Sequence, residues 1–368
     1  MANKFLSFRT AIVRHTLLSP FKYNHCHVIK IKTQYGDGLN SPAYMTCSPI
    51  NIDGEPGQRL MTVYRTVGCE YDKKGKGCSM CDFAFYADPR VQSRNIEAQH
   101  KQSLEMLGNI DFIHFDLLTL GNFYNDGEIP ADLRKLLLQS LAKIEGVKRV
   151  LTEARRQYIT DDKMKEAKSC LRDDQTLEYA LGYETVNPDL RNRVLLKGLP
   201  EEHLDDALGI CKDTGVDFVS YVLIKPQTLS EAQGIKEAVN TATHVLAKAD
   251  NYGVKSRIAF QPVFVTRGKI IETMWERGEY QPPKLWSVAE VLVQTSKRLG
   301  VENTQGKLFV SLSDENLSGG RMTSNCGSCD DEVRKEIQAF NGHQEVARLR
   351  QLYHKCKDEW RKEVGGNQ

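Results

Sequence analysis

The chain holds no apolar run that approaches the length of a membrane span, so an integral membrane protein is not expected. Its first residues, MANKFLSFRTAIVRH, lack the apolar core and cleavage site of a signal peptide, and a cytosolic location is the expectation. It also lacks an excess of either charge: 50 basic and 48 acidic residues leave a net charge of +2. That balance gives no global electrostatic case for nucleic acid or an anionic surface, although a local basic patch is compatible with it. A disulfide scaffold is missing too. Ten cysteines in 368 residues are too sparse for one, and in a reducing compartment close pairs point to metal or redox chemistry.

Two tight cysteine groups are present. The first, in RTVGCEYDKKGKGCSMCDF (Arg65 to Phe83), holds Cys69, Cys78 and Cys81, with eight residues and then two between them. An apolar run, LMTVY, leads into it, so the cysteines sit on a loop after a strand. Three thiolates are one short of a structural zinc site and of an electron-transfer cluster, both of which use four ligands. They suit a 4Fe–4S cluster with one iron open to a substrate or cofactor. A zinc loop with its fourth ligand elsewhere is the competing reading. The second group is Cys326 and Cys329 in SGGRMTSNCGSCDDEV. Two ligands do not complete a site, so a structural turn, a redox dithiol and an auxiliary metal or iron–sulfur site stay open. Added ligands are sought among Cys47, Cys356, His343 and His354, with Cys47 or Cys356 preferred. The remaining cysteines read as small buried hydrophobes. A third group, His25, Cys26 and His27, reads as structural.

From Leu60 to Val265 strand and helix patterns alternate about six times, which predicts a parallel sheet covered by helices. The predicted fold is α/β, a partial (β/α)6 TIM-like barrel. Residues 1–58 form an N-terminal extension, 59–268 the barrel, and 269–368 a C-terminal lid or auxiliary region. Residues 36–57, rich in Gly, Pro and Asn, read as loop. The end of the chain, HQEVARLRQLYHKCKDEWRKEV, reads as one amphipathic packing helix. Chemistry in such a barrel belongs at the C-terminal ends of the strands.

Those strand ends carry the candidates. GNFYNDGEIP offers Gly121, which lets backbone come close, and the amide of Asn122. TEARRQYI places Glu153 and Arg155 on one side of an extended segment. GYETVNPDLRNRVLLKG gathers Glu184, Asn187, Arg191, Arg193 and Lys197, and YVLIKPQTLSE presents Tyr221 and Lys225 towards substrate. The stretch Phe260 to Leu292, with Trp275, Trp286, Arg267 and Arg277, reads equally as a packed tail or as a substrate lid.

The three-cysteine loop resembles that of radical S-adenosylmethionine (SAM) enzymes, with a wider first gap than is commonest there. More closely, RTVGC…GCSMCDF, LGNFYNDGEIP, TEARRQYI, LGYETVNPDLRNRVLLKG, YVLIKPQTLSE, QPVFVTRGKIIETMWERGEYQPPKLWSVAEVL and NCGSCDDEV together resemble the radical SAM family of archaeosine synthesis (RaSEA). The likeness runs from about Thr62 to Phe340, and CDF stands where CGY is expected. The resemblance implies that Cys69, Cys78 and Cys81 bind a 4Fe–4S cluster whose open iron chelates SAM, and that one electron cleaves SAM to a 5′-deoxyadenosyl radical. An electron donor of ferredoxin or flavodoxin type follows. Met80, Phe83, Gly121, Asn122, Glu153 and Arg155 are implied to bind the cofactor. Tyr221, Lys225, Glu184 and Arg193 are implied to serve catalysis. The family acts as a carbon–nitrogen lyase on a tRNA deazaguanine carrying lysine, leaves the amidine of archaeosine, and works beside a lysine-adding transferase. Tailoring of a small metabolite or peptide by a related radical SAM enzyme, and a zinc-stabilised nucleic-acid-binding module, are the alternatives.

Overall fold

A computed structural model describes residues 38–81, 83–107, 112–315 and 317–365. The group His25, Cys26 and His27 lies outside the described residues. The chain runs β1 (Tyr44–Ile52), β2 (Glu55–Tyr64), α1 (Ser93–Glu105), β3 (Ile113–Thr119), α2 (Ala131–Ala142), β4 (Val147–Glu153), α3 (Asp161–Ser169), β5 (Thr176–Glu184), α4 (Glu202–Thr214), β6 (Asp217–Ile224), α5 (Glu231–Tyr252) and β7 (Ser256–Pro262). It continues through α6 (Ile270–Glu276), α7 (Leu285–Leu299), β8 (Leu308–Val310), α8 (Asp330–His343), α9 (Val346–Gln351) and α10 (Cys356–Gly365). No helix among the described residues is long and apolar enough to cross a membrane.

The eight strands hydrogen-bond in sequence order. Strands β2 to β8 are parallel, and β1 is antiparallel to β2. The six strand–helix units expected from Leu60 onward are β2 to β7, and the sheet extends past them at both edges. Residues 36–57, expected as loop, hold β1 and the start of β2. The turn between them is Asp53–Gly54, both at positive φ, an Asp-Gly hairpin signal that the surrounding Gly, Pro and Asn obscured. Helix α8 covers the seam between the two edge strands. The Asn51 amide donates to Gly342 O at 3.1 Å from the β1 side. On the β8 side, Asn341 accepts from Val310 N and donates to Val310 O, each at 2.9 Å, which satisfies an edge a parallel strand would otherwise pair.

A parallel sheet covered on both faces buries its strands throughout, and β3 is buried at all seven positions although it carries His114, Asp116 and Thr119. One core lies between strands and helices, with Leu133, Leu137 and Leu141 of α2 packed on Phe115 and Val150. A second fills the barrel and includes Met61, Leu118, Leu151, Val219 and Phe309. Towards the barrel floor the interior turns ionic. Arg59 of β2 pairs with Asp116 of β3, with Nε to Oδ2 at 2.7 Å. Glu178 of β5 takes His114 at 2.6 Å, Arg257 at 2.7 Å and Arg149 at 3.1 Å. Burial alone would raise the Glu178 carboxyl, but Arg257 and His114 outweigh it and hold it well below the usual carboxylate range.

The segment from Phe260 to Leu292 is mostly packing. Helix α7 buries Leu285, Trp286 and Val288 in the outer core, and Tyr280 is buried beneath α6 with Ile271. The expected single C-terminal helix is broken instead. Helix α9 stops at Gln351 and α10 starts at Cys356, with Leu352 in an extended conformation. Helical periodicity continues across the break, so the pattern alone does not reveal it.

Candidate active site

A cavity of about 260 Å³ opens at the C-terminal ends of the strands. It is bounded by Cys69, Cys78 and Cys81 on one side and by residues at the ends of β3 to β7 on the other. Met80, Phe83, Gly121, Asn122, Glu153, Arg155, Glu184 and Tyr221 all line it, as expected from the strand-end motifs. Arg193 and Lys225 do not. Arg193 projects into solvent, where its Nε lies 3.3 Å from Asp189 Oδ1. Lys225 sits beyond the end of β6, where its ammonium is bound by Glu231 at 2.5 Å and by Gln281 O at 2.8 Å. Glu231 also accepts from Lys284 N at 3.2 Å and from Ser287 Oγ. The buried pair therefore joins the starts of α5 and α7 and does not face substrate. Arg191 is likewise structural: it donates to Thr185 O and Leu199 O and pairs with Glu201.

The cysteine loop is held by neighbours on three strands. Ser79 N donates to Leu195 O at 3.0 Å, and Ser79 Oγ donates to Val194 O at 2.8 Å. Tyr71 donates to Leu196 O at 3.1 Å, and the Arg155 guanidinium lies 3.8 Å over its ring. Glu128 is the main organiser, and the sequence reading passed over it. Its carboxylate accepts from Glu70 N, from Asn122 Nδ2 and from Asn125 Nδ2, each at 2.9 Å, and from Asn122 N. This carboxylate ties the loop after β3 to the residue beside Cys69. Gly121 is glycine for the same reason: an added Cβ would stand 2.0 Å from Glu128 Oε2 and 3.1 Å from Cys69 Cα. Its position in a loop legible as Gly-rich was the available signal for Glu128.

Asn122 plays a different part from a free amide offered to a ligand. Its Nδ2 donates towards Cys69 Sγ at 3.5 Å, and its Oδ1 accepts from Arg155 N at 2.9 Å. It braces a cysteine against the β4 end. Arg155 donates from one nitrogen to Lys197 O at 2.7 Å and Gly198 O at 3.1 Å, and its buried Nε meets no partner among the described residues.

The cavity wall carries unusual charges. Burial pushes the Glu153 carboxyl up to about 8, with Glu315 adding to the shift. Burial likewise raises the Tyr221 hydroxyl well above its ordinary range, and Glu153 reinforces it, so Tyr221 is a neutral O–H donor. Glu184, at φ 69 on a non-glycine backbone, pairs with Lys197 at 2.6 Å. Such a backbone outlier at a cavity wall costs about 1–3 kcal/mol and marks a position the surroundings over-determine. Burial works against the Lys197 charge, but Glu184 and the Cys78 sulfur outweigh it and raise its pKa. Lys197 belongs to the wall even though sequence spacing gave it no role of its own.

The three thiols fit a 4Fe–4S cluster. They border one cavity; burial raises the thiols of Cys69 and Cys81, so a cluster bound there would have to displace protons that those thiols hold. They are not among the described groups whose ligand atoms all lie within 4.8 Å of one another. That spread suits a multi-iron cluster better than a single ion. The unpartnered Arg155 Nε and the high-pKa Glu153 leave binding capacity for a polar, charged cofactor beside them. The second cysteine pair lies elsewhere: Cys326 and Cys329 are brought together with His354 and Cys356. Cys47, on β1 beside Gln58, and His343, beside Glu336, do not join them.

No family model matches the chain. It is 26% identical over 324 residues to archaeosine synthase subunit beta of Methanosarcina acetivorans, covering 88% of this chain and 90% of that one. Against archaeosine synthase subunit beta of Thermococcus kodakarensis it is 28% identical over 315 residues, covering 84% and 93%. An uncharacterized protein of Methanocaldococcus jannaschii is 27% identical over 310 residues, covering 83% and 81%. Among solved structures, Methanocaldococcus infernus Elp3 with an N-terminal deletion superposes with a TM-score of 0.45 at 14% identity, covering 71% of this chain and 61% of that one. The sequence relatives bear out the resemblance carried by the motifs.

Proposed function

We propose that this chain, a radical SAM enzyme resembling archaeosine synthase subunit beta over most of its length, is a carbon–nitrogen lyase that converts a lysine-bearing deazaguanine in tRNA to archaeosine. The observation that carries the reading is the single cavity shared by Cys69, Cys78, Cys81 and the strand-end residues, in a chain whose relatives bear that name. Cys69, Cys78 and Cys81 would hold the 4Fe–4S cluster. With SAM bound there, the cluster supplies a radical able to take hydrogen from an unactivated carbon.

The protein's own groups position and exclude. Arg155, with a donor to spare, and Glu153 are the groups for the carboxylate and hydroxyls of SAM. Gly121 gives the backbone close to Cys69 room to approach. The buried Glu184–Lys197 pair matches the ammonium and carboxylate of an amino acid, which SAM and a lysine substituent both carry. Tyr221 donates a hydrogen bond from the far wall, and the apolar side chains of Met61, Leu118, Leu120 and Phe264 keep water from the reacting carbon. A second subunit, the lysine-adding transferase, would supply phosphate contacts beyond those of a chain whose net charge is only +2. A donor of ferredoxin or flavodoxin type would deliver the electron.

The test is mass spectrometry of tRNA nucleosides from a strain lacking this protein. The lysine adduct should accumulate and archaeosine disappear. Unchanged archaeosine would overturn the assignment of substrate while leaving the radical SAM site intact.

A further inference from the structure

The geometry points to a closed structural zinc site made by Cys326, Cys329, His354 and Cys356. The four ligand atoms lie within 4.8 Å of one another. Cys326 Sγ stands 3.7 Å from Cys329 Sγ and 3.6 Å from His354 Nδ1. Cys356 Sγ stands 3.6 Å from Cys329 Sγ and 3.1 Å from His354 Nδ1. Zinc–sulfur bonds of about 2.3 Å and zinc–nitrogen bonds of about 2.0 Å at tetrahedral angles require sulfur–sulfur edges of about 3.8 Å and sulfur–nitrogen edges of about 3.5 Å. Three of the four measured edges match those lengths, and the fourth is shorter.

The same distances argue against the other uses of these residues. A disulfide needs sulfurs about 2.05 Å apart, so Cys326 and Cys329 are not bonded. A 4Fe–4S cluster is held by thiolates on separate irons. Here three sulfurs and a ring nitrogen converge on one point, and three thiolates with one imidazole are a tetrahedral zinc donor set. All four positions come from the protein, so the site is closed and its role is structural.

Neighbouring groups orient the ligands. Asn325 Nδ2 donates to Cys329 Sγ at 3.5 Å, and Trp286 Nε1 donates to Cys356 Sγ at 3.3 Å. Asp330 Oδ1 accepts from Asn325 N at 2.9 Å and from Gly327 N at 3.1 Å, which folds the Cys326–Cys329 turn. Gly327 sits at φ 84, where a side chain would be strained. Donors on thiolate sulfur and a pre-formed turn are what surround a metal site. The break between α9 and α10 now has a cause. An unbroken helix could not deliver both His354 and Cys356 to the start of α8. The metal fastens the start of α10 to the start of α8, the helix that covers the sheet's seam, and Trp286 of α7 packs against the joint.

The test is elemental analysis of the full-length protein, purified without oxygen and with zinc supplied. One zinc per chain, in addition to cluster iron, is expected. Cys326→Ser, at the exposed ligand, should lose that zinc and keep its iron. Wild-type protein that retains no zinc would overturn the site, as would a further cluster's worth of iron lost in Cys326→Ser. Should that variant aggregate, cobalt exchanged into the wild type decides. Intense visible bands of tetrahedral thiolate-bound cobalt are expected, and their absence contradicts the proposal. The iron and SAM chemistry of Cys69, Cys78 and Cys81 stands or falls separately.

Discussion

Two groups of cysteines lie in this protein, and they are built to opposite plans. Cys69, Cys78 and Cys81 sit on a loop that borders a cavity, supply three thiols, and are too spread to close on one ion. Cys326, Cys329 and Cys356 stand with His354 in a compact tetrahedron, complete without any ligand from outside. The first is braced by groups that also reach the cavity, among them Asn122 and Arg155. The second is braced by Asn325 and Trp286, which belong to the packing of α7 and α8. An incomplete donor set on a cavity is a place for chemistry, and a complete one against a helix bundle is a fastening.

The largest expected effect separates the two directly. Cys81→Ala should abolish bound iron and SAM cleavage while leaving the zinc in place, measured by elemental analysis and by release of 5′-deoxyadenosine. Zinc loss together with iron would show that the two sites are not independent. Glu128→Ala removes the carboxylate that ties the cysteine loop to the β3 end. SAM cleavage should fall about 10- to 100-fold, the usual cost of losing a partner just outside a metal site. An unchanged rate at full iron content would show that Glu128 does not position the loop.

Asn325→Ala probes the other side. It should weaken zinc retention about tenfold against a competing chelator and leave SAM cleavage unchanged. A change in SAM cleavage would couple sites held here to be separate. A smaller effect concerns pH. The folded Glu153 carboxyl titrates at about 8, above its ordinary 4.5, so the folded state holds a proton the unfolded state has released. Its contribution to stability is present below about 4.5 and is lost as pH rises through about 8. Melting temperatures of the metal-free protein between those values should fall less steeply in Glu153→Gln, which should be the more stable form at pH 8. Parallel curves would remove Glu153 from the account. Arg193→Ala, on an exposed side chain outside the cavity, should change neither metal content nor rate.

The βα alternation from Leu60 to Val265 was legible because each strand is a short run rich in apolar and β-branched residues and each helix carries a spaced apolar stripe. The three-cysteine loop was legible because its chemistry lies in local spacing. What local spacing cannot show is where a long side chain ends. Lys225 follows a strand as a catalytic lysine would, yet Glu231 captures it six residues later. Asn122 lies in the right loop, but its amide is engaged by Cys69, Glu128 and Arg155. The floor network of Arg59, His114, Asp116, Glu178 and Arg257 comes from four separate strands, and which of these polar side chains meet depends on strand register that no single run shows. His354 and Cys356 were among the added ligands sought for the Cys326–Cys329 pair, and the structure selects them over Cys47 and His343; spacing alone could not make that choice, because HQEVARLRQLYHKCKDEWRKEV keeps helical period across a break set by distant residues.

The most direct measurement is reductive cleavage of SAM by the reconstituted protein, with 5′-deoxyadenosine followed by mass spectrometry. The wild type should form it, and Cys69→Ala/Cys78→Ala/Cys81→Ala should form none while still carrying zinc at the C-terminal site. Continued formation of 5′-deoxyadenosine by the triple variant would contradict the assignment of the cluster to this loop.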